Sequence, residues 1–413
     1  MGNRKYEIDT PENREFLRDQ AAQLIRFGKA FPSPAGSSYW LGDDGTAWKD
    51  RDRQTWITAR MAHVYSLGTF LGIEGSRELA AKAIHGLLTE LHDDEHDGWY
   101  AGVHADGTPF GTKQCYAHAF VILAGCSAML AGIPEAAELL EKAEAVYDRY
   151  FWEEETGLSR DTWNMEFTEP DSYRGLNANM HSVEAFLADA DITGKGYYRI
   201  RAGRIIDHVI AWASANEWRI PEHYTSDWEA DLECNKDRPD DQFKPYGATP
   251  GHGIEWARLI TQWALSSFCG DREGAAPYLG AAQNLYRRAV EDGWYADGAP
   301  GIVYTTDWNG QPLVHDRMHW TLAEAINTSS VLYHVTGREE YAADYAAFLA
   351  YLDDKVIDHV HGSWFHQLDQ NNALLETVWP GKSDLYHATQ AMLIPTSDCS
   401  VSIAKAVRDS ITA

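Results

Sequence analysis

Two kinds of apolar pattern alternate along the chain, and both have the spacing of α-helices. In the first kind nearly every position is apolar and formal charges are few, which predicts a helix buried on all sides. It covers residues 56–72, 116–131, 177–190, 252–268, 319–335 and 384–394. In the second kind one face is charged, as in a surface helix, and it covers residues 78–91, 135–150, 197–215, 278–292, 339–355 and 397–411. The pattern therefore predicts an all-α fold in which an inner and an outer helix alternate six times.

The inner segments begin roughly every 60 to 75 residues, a spacing that fits one helix pair and one loop per repeat. A further helix is predicted from Thr10 and Pro11 to Gly28. Loops such as DGWYAGVHADGTPFG mix aromatic and turn residues, as short hairpins do. An open solenoid would need polar capping repeats, which are not evident, so a closed (α/α)6 barrel is favoured. No linker-like stretch interrupts the chain, and we expect one barrel domain over residues 1–413.

Charge and cysteine usage exclude several classes of partner. The 413 residues include 35 Lys and Arg against 62 Asp and Glu, a net charge of −27 at pH 7. Such a surface repels nucleic-acid phosphates and anionic lipid headgroups, so we expect neither nucleic acid nor membrane as a partner. Five scattered cysteines without a C-x-x-C pattern, and no long apolar run, favour a cytoplasmic protein without disulfides. The sequence leaves open whether it is a monomer or a homo-oligomer.

The predicted inner helices begin with side chains that are unusual in buried helices. In a closed ring of helix pairs the inner helices run parallel, so we expect these starts to line one cavity, where the helix dipoles favour negative charge. The side chains are Trp56 and Arg60, Tyr116 and His118, Asn177 and His181, His252 and Glu255, His319, Trp320 and Glu324, and Asp384 and His387. The high content of 16 Trp and 21 Tyr suits a carbohydrate ligand, because aromatic planes pack against the C–H faces of sugars.

Two histidines are the candidates for acid–base chemistry. His252 and Glu255 are three residues apart on one helix face, and a carboxylate beside an imidazole fixes its tautomer and raises its basicity. His387 follows Asp384 by three residues, and Asp384 is either a second such partner or the N-cap of the helix. The sequence has no G-x-S-x-G motif, phosphate-binding glycine loop or Rossmann fingerprint. Proton transfer on carbon, without a cofactor, is therefore favoured over acyl transfer.

Metal catalysis is the less favoured alternative. His92 and His96 have i, i+4 spacing in HDDEH, but the H-E-x-x-H metal motif places a Glu directly after the first His. His359, His361 and His366 cluster in a predicted loop, where a metal site stays open. The preferred interpretation is a site without a metal.

Four segments resemble the N-acylglucosamine 2-epimerase superfamily. They are PYGATPGHGIEWARL (245–259), RMHWTLAEA (317–325), NANMHSVEAF (177–186) and GKSDLYHATQA (381–391). The resemblance extends in order over nearly the whole chain, and it is strongest to the aldose–ketose isomerase branch of mannose and sulfoquinovose isomerases. It implies an (α/α)6 barrel, no cofactor and a monosaccharide substrate.

The resemblance also implies roles for individual residues. His387 would take the proton from C2 of the open-chain aldose and return it to C1 through a cis-enediolate. His252, held by Glu255, would assist ring opening and exchange protons with the sugar oxygens. The other matching positions are Arg60, His181 and Glu324 as polar contacts to the sugar, and Trp56, Tyr116, Asn177, Trp320 and Trp379 as pocket walls.

One departure from the family pattern bears on the substrate. Gln242 stands where we expect Arg before Phe-Lys-Pro, so a cation for an anionic substituent is missing. This favours a neutral hexose, mannose interconverted with fructose, over sulfoquinovose, although Arg60 and Lys244 remain. His319, where other branches often have Trp, separates the chain from the cellobiose 2-epimerases. Sulfoquinovose isomerase and sugar 2-epimerase activities on the same site stay alternatives.

Two other classes of function are less favoured. A glycoside hydrolase on the same barrel would use paired carboxylates such as Glu255 and Glu324. A non-catalytic carbohydrate-binding protein would bind sugar without turning it over. Formation of a ketose from a free hexose separates the isomerase from both.

Overall fold

The structure is a computed structural model that describes residues 4–412. Its α-helices are α1 (Pro11–Phe27), α2 (Thr55–Phe70), α3 (Ser76–Leu88), α4 (Cys115–Leu130), α5 (Ala136–Val146), α6 (Leu176–Thr193), α7 (Gly196–Ala215), α8 (Pro250–Phe268), α9 (Arg272–Gly293), α10 (His319–Thr336), α11 (Glu339–Tyr351), α12 (Tyr386–Leu393) and α13 (Ile403–Thr412). Two π-helical turns, Tyr147–Phe151 and Leu352–Val356, continue α5 and α11. Short 3-10 turns lie at Arg4–Tyr6, Gly28–Ala30 and Ile394–Thr396.

Six helices form a closed inner ring. Each of α2, α4, α6, α8, α10 and α12 packs against the next, and α12 packs back against α2. These helices are enclosed on all sides: residues 55–68 of α2 and 178–190 of α6 are all buried. The (α/α)6 barrel predicted from the alternating pattern is confirmed. The pattern is informative because a helix without a polar face must be covered on all sides.

The sixth outer helix is not the one predicted. Helices α3, α5, α7, α9 and α11 lie outside the ring, and α1 completes the outer layer against α12 and α2. The segment 397–411, predicted as the last outer helix, forms α13, which contacts α2, α4, α6 and α12. Its buried Ile403, Ala404 and Val407 therefore cover the end of the barrel where the inner helices finish. An apolar stripe indicates that a helix packs on something, but not on which surface.

Short antiparallel strands connect the helices, as the loop composition predicts. They are β1 (Trp40–Leu41), β2 (Ala47–Trp48), β3 (Arg53–Gln54), β4 (Gly102–Val103), β5 (Pro109–Phe110), β6 (Lys113–Gln114), β7 (Trp152–Glu153), β8 (Leu158–Ser159), β9 (Thr162–Trp163), β10 (Arg174–Gly175), β11 (His223–Tyr224), β12 (Thr305–Thr306), β13 (Pro312–Val314), β14 (Arg317–Met318) and β15 (Gln367–Leu368). The pairs are β1–β2, β3–β4, β4–β5, β6–β9, β7–β8, β10–β11, β12–β13 and β14–β15. Strands β3, β6, β10 and β14 run directly into inner helices, so the hairpins surround the N-terminal mouth of the ring.

Buried cations fix these hairpins next to the inner helices. Several inner helices follow a basic residue that reaches back to a carboxylate in the preceding loop. The buried pairs are Lys113 with Asp93 at 2.8 Å, Arg317 with Asp297 at 2.7 Å and Lys382 with Asp358 at 2.7 Å. Removing one member of a buried pair leaves the other charge uncompensated, which is costly, so these pairs hold the loops rigidly at the mouth.

A contiguous apolar core extends from Leu17 in α1 to Val407 in α13. The single domain over residues 1–413 stays a prediction, since residues 1–3 and 413 lie outside the described part. Within residues 4–412, no helix combines the length and the apolarity needed to cross a bilayer.

Candidate active site

The N-terminal turns of the six inner helices supply the walls of one cavity. Trp56, Tyr116, Asn177, Trp320 and His387 are each the second residue of their helix, and His252 is the third. One turn deeper, the sixth position holds Arg60, His181, Glu255 and Glu324. Because the six helices run parallel in the ring, equal positions reach equal depth. The sequence pattern therefore places these side chains in two layers at the barrel mouth.

Most of the predicted site residues line this cavity. Its lining comprises Arg60, Tyr116, Asn177, His181, Gln242, Phe243, Pro245, His252, Glu255, Tyr304, His319, Trp320, Trp379, Asp384 and His387. Three side chains expected at the cavity, Trp56, His118 and Glu324, are not part of the lining. The expectation for His118 is wrong, because its Nε2 accepts the backbone N–H of Trp99 at 3.1 Å and its Nδ1 contacts the Gln114 carbonyl at 2.7 Å. Trp56 packs edge-on behind Trp379 and Phe243, at ring distances of 6.0 and 5.9 Å. Glu324 is fully buried beneath His387.

The two candidate catalytic histidines flank one indole. The ring of Trp320 lies 4.9 Å from that of His252 and 6.0 Å from that of His387. Both imidazoles are nearly buried, with 7% and 4% of their surface exposed, and both border the same cavity. Two histidines 135 positions apart in the sequence thus line the same cavity.

His387 takes its carboxylate partner from a neighbouring helix. Its Nδ1 lies 3.0 Å from Oε1 of Glu324, in a hydrogen bond, and the other Glu324 oxygen accepts one from Arg258 at 2.8 Å. Burial, with Arg60 and His319 acting in the same direction, lowers the pKa of His387 well below its usual value. The imidazole is therefore neutral near pH 7. With Nδ1–H donating to Glu324, Nε2 is left as a free base.

Asp384 is not the partner of His387. Its Oδ2 accepts a hydrogen bond from Arg60 at 3.1 Å, and its Oδ1 accepts one from the backbone N–H of Tyr386 at 2.9 Å. The N-cap residue of α12 is Leu385, so Asp384 lies one residue before the N-cap and bonds the first N–H of the helix from there. Burial acts to raise the pKa of Asp384, but Arg60 and His319 outweigh it, and the pKa lies below its usual value. The carboxylate consequently stays charged and holds the Arg60 guanidinium at the cavity.

The predicted pairing of His252 with Glu255 is wrong. His252 Nδ1 instead lies 3.0 Å from Oε1 of Glu222, a residue just before β11. Glu255 is one turn deeper and contacts Arg258 at 3.5 Å. Two residues on the same face of a helix need not be in contact, and here the carboxylate of Glu255 contacts Arg258 instead.

Glu255 has an unusual electrostatic environment. It is 1% exposed, and its Oε2 has no hydrogen-bond partner among the described residues. Burial, and then the negative charge of Glu324, raise the pKa of Glu255 well above its usual value. The group is therefore a neutral carboxylic acid near pH 7, able to donate a hydrogen bond into the cavity.

His181 and Tyr116 are neutral polar groups on the opposite wall. Burial lowers the pKa of His181 to about 4, and burial raises the pKa of Tyr116 to about 12. The Tyr116 hydroxyl accepts a hydrogen bond from Arg60 at 2.8 Å. His181 lies 3.7 Å from Glu184, and Glu184 accepts a hydrogen bond from the Tyr386 hydroxyl below the cavity floor. The cavity lining thus combines the buried cation Arg60 with several neutral groups that donate and accept hydrogen bonds.

The sequence analysis did not identify Arg258, Glu222 and Tyr304 as site residues, nor Phe243 and Pro245 of the lining. Arg258 binds Glu324 and Glu255 beneath the cavity, and an arginine inside a charge-poor inner helix could have been found by the reasoning applied to Arg60. Glu222 and Tyr304 come from hairpins, where no periodicity points to the cavity. Tertiary pairing alone brings them there.

One group of side chains could hold a metal ion. Ligand atoms of Glu255, Glu324 and His387 lie within 4.8 Å of one another. Arg258 already supplies a positive charge 2.8 Å from Glu324, and a divalent cation would be repelled by it. This donor set therefore fits a metal poorly. In the HDDEH segment with i, i+4 histidines, His92 contacts Asp94 and His96 contacts Asp93.

The histidines predicted in the 359–366 loop do not meet at one point. His359 contacts Asp353 and His361 contacts Asp358, whereas His366 stacks on His319 at 3.7 Å beside the cavity. This separates the loop histidines from one another, and no shared ligand site arises from them among the described residues.

Fold and cavity together define a helical-barrel protein whose pocket suits proton transfer on a small polyhydroxylated molecule. The family model for N-acylglucosamine 2-epimerase (GlcNAc 2-epimerase) matches residues 36–391. The chain belongs to this family.

Named relatives cover nearly its whole length. A D-mannose isomerase of Pseudomonas cannabina pv. alisalensis is 39% identical over 401 residues, which are 97% of this chain and 96% of that protein. A D-mannose isomerase of Thermobifida fusca is 40% identical over 403 residues, 96% and 97% of the two chains. A crystal structure of D-mannose isomerase superposes with a TM-score of 0.86 at 27% identity, covering 94% of this chain and 99% of that one.

Proposed function

We propose that the protein is an aldose–ketose isomerase that interconverts D-mannose and D-fructose. The observation that carries the proposal is the pair of buried imidazoles, His252 and His387, on either side of Trp320 in one cavity. Support comes from the relatives named D-mannose isomerase, at about 40% identity over nearly the full length. One imidazole can carry the proton between the adjacent carbons, and the second is then available for ring opening.

His387 is the base in this proposal. Its free Nε2 takes the proton from C2 of the open-chain aldose, and the C–H electrons form the C1=C2 double bond of a cis-enediolate. The same imidazolium then returns the proton to C1 while O2 becomes the ketone oxygen and the O2 proton moves to O1. A neutral imidazole suits this cycle because it must first accept the proton, and burial keeps His387 neutral near pH 7. Substrate and product are isomers, so no redox cofactor is needed.

Charge on the enediolate is offset from two directions. Arg60, held by Asp384 and Tyr116, presents its guanidinium at the cavity. The N-termini of the inner helices point their dipoles at the same place. Glu255, as a neutral acid, adds a hydrogen-bond donor rather than a second negative charge. This balance favours the transition state over the neutral sugar.

His252 serves ring opening in this proposal. A cyclic hexose must pass a proton from O1 to the ring oxygen before C2 becomes acidic, and an imidazole can do both. Asn177, His181 and Trp379 hold the sugar by hydrogen bonds and an aromatic face, in keeping with their place in the cavity lining. Trp56 acts indirectly, through Trp379.

A glycoside hydrolase is a weaker candidate on this geometry. Hydrolysis needs two carboxyl groups on opposite sides of a scissile bond. Glu255 and Glu324 instead share one guanidinium, Arg258, on the same side of the cavity. Glu324 is also covered by His387, so it cannot reach a substrate.

The test is a panel of free aldoses with ketose formation as the readout. EDTA-treated protein is incubated with mannose, lyxose, glucose and sulfoquinovose, and His387→Asn serves as the matched control. We expect fructose from mannose and no ketose from the control. Absence of ketose from every aldose would overturn the proposal.

The same panel tests the substrate preference. Gln242 lies in the cavity lining, where its amide donates to the Val378 carbonyl at 3.0 Å. A Gln242→Arg variant adds a cation there and should shift the ratio of kcat/KM toward sulfoquinovose. An unchanged ratio would mean that this position does not set the preference.

A further inference from the structure

We infer that Glu222 is a positioning residue that fixes the tautomer of His252, so that the Nε2 lone pair of His252 faces the substrate. The inference rests on the proposed function for its kinetic consequence. Its structural part, the tautomer itself, is independent of the substrate.

The carboxylate of Glu222 contacts the far side of the imidazole. Its Oε1 lies 3.0 Å from His252 Nδ1, and both side chains are nearly buried, at 3% and 9% exposure. Neither atom forms a hydrogen bond to any described residue, so this 3.0 Å contact is the close polar contact that each of them has. A buried carboxylate needs a donor, and Nδ1–H is the donor within reach. With the proton on Nδ1, Nε2 is the acceptor at the cavity.

The backbone around Glu222 is held from two sides. Its carbonyl accepts the N–H of Leu176, the first residue of α6, at 3.1 Å. The next residue, His223, pairs with Gly175 in the β10–β11 ladder, and its Nε2 contacts the Pro245 carbonyl at 2.8 Å. Glu222 is therefore a rigid support between two inner helices, α6 and α8.

The two histidines have carboxylate partners in different charge environments. Glu324, behind His387, also binds Arg258 at 2.8 Å. Among the described residues, Glu222 has no Lys or Arg within 4.0 Å, and its ion-pair contact is with His252. The carboxylate of Glu222 is thus directed at the Nδ1 side of His252, which orients the imidazole with Nε2 toward the cavity.

The decisive experiment compares Glu222→Gln with wild type on mannose and on C2-deuterated mannose. An amide can present its NH2 group to Nδ1 and reverse the tautomer, so we expect kcat/KM to fall about 10²-fold, the lower range of general acid–base contributions. Ring opening then becomes rate-limiting, and the deuterium isotope effect on kcat/KM should fall toward unity. A loss of rate with an undiminished isotope effect would contradict the inference, as would wild-type kinetics.

Two controls separate positioning from folding. Glu229→Gln makes the same chemical change at an exposed residue of the following loop and should leave kcat/KM unchanged. In a His252→Ala background, Glu222→Gln should cause no further loss, because Glu222 acts through His252. An additional loss of tenfold or more would assign Glu222 a separate role.

The tautomer is measured without substrate. In protein with ¹⁵N-labelled histidine, the His252 resonances should show the proton on Nδ1 in wild type, and Glu222→Ala should abolish that preference. This readout stands even where no aldose is turned over, so failure of the proposed function and failure of the inference are distinguishable. A neutral His252 that carries its proton on Nε2 in the wild type would overturn the inference about Glu222.

Discussion

Replacing Glu324 with glutamine should disable His387 while leaving the barrel folded. The buried carboxylate accepts Nδ1–H of His387 at 3.0 Å and binds Arg258 at 2.8 Å. An amide can donate to Nδ1, which stabilises the tautomer with its proton on Nε2, and that nitrogen can no longer take a proton from C2. The equivalent carboxylate-to-amide change in a serine-protease triad lowers kcat about 10⁴-fold by the same switch. We expect a fall in kcat of about 10³- to 10⁴-fold, or about 4 to 5.5 kcal/mol in the barrier.

The assay is fructose formation from mannose at saturating substrate, with thermal unfolding recorded on the same samples. Glu255→Gln is the matched control, since it makes the same change within the same cluster. Burial and Glu324 raise the pKa of Glu255, so this group already carries a proton near pH 7 and should lose less than about tenfold in kcat. A Glu324→Gln enzyme within tenfold of wild type, or equal losses in both variants, would refute the tautomer mechanism.

Three further predictions concern stability and binding. The pKa of Glu255 is higher in the folded protein than its ordinary 4.5, so wild type should lose stability relative to Glu255→Gln as pH rises above about 4.5; a difference in Tm that is constant with pH would contradict this. Burial acts to raise the pKa of Asp93, but hydrogen bonds from Lys113 and the backbone lower this pKa to about 2. The contribution of Asp93 to folding stability should therefore persist above about pH 4 and disappear toward pH 2. Lys113→Met should accordingly cost about 3 to 5 kcal/mol of unfolding free energy in urea titrations at pH 7. Trp320→Ala, which removes the surface against both imidazoles, should raise KM for mannose and lower kcat; unchanged kinetics would exclude Trp320 from the site.

The inner ring could be predicted from the sequence because its signal is local. A helix that must be buried on all sides carries almost no charge, and the exceptions stand out. Arg60 and His181 are such exceptions, and both lie in the cavity lining. Their position at the same depth follows from the repeat itself, since each inner helix begins in register with the mouth.

What could not be predicted depends on contacts between distant segments. Glu255 has the right spacing to meet His252, yet its carboxylate contacts Arg258, and the carboxylate at His252 comes from Glu222 in a hairpin. The terminal segment 397–411 has the apolar stripe of an outer helix but covers the barrel end. Helical periodicity identifies a face to be buried and carries no information about its partner.

Exchange of the C2 hydrogen tests the central claim most directly. Mannose deuterated at C2 is incubated in ordinary water with wild type, His387→Asn and His252→Asn, and loss of deuterium is followed by NMR together with fructose. The wild type should release or transfer the label as fructose forms, His387→Asn should do neither, and His252→Asn should be limited by the supply of open-chain sugar. Continued removal of the label by His387→Asn at a rate near that of the wild type would contradict the assignment of His387 as the base.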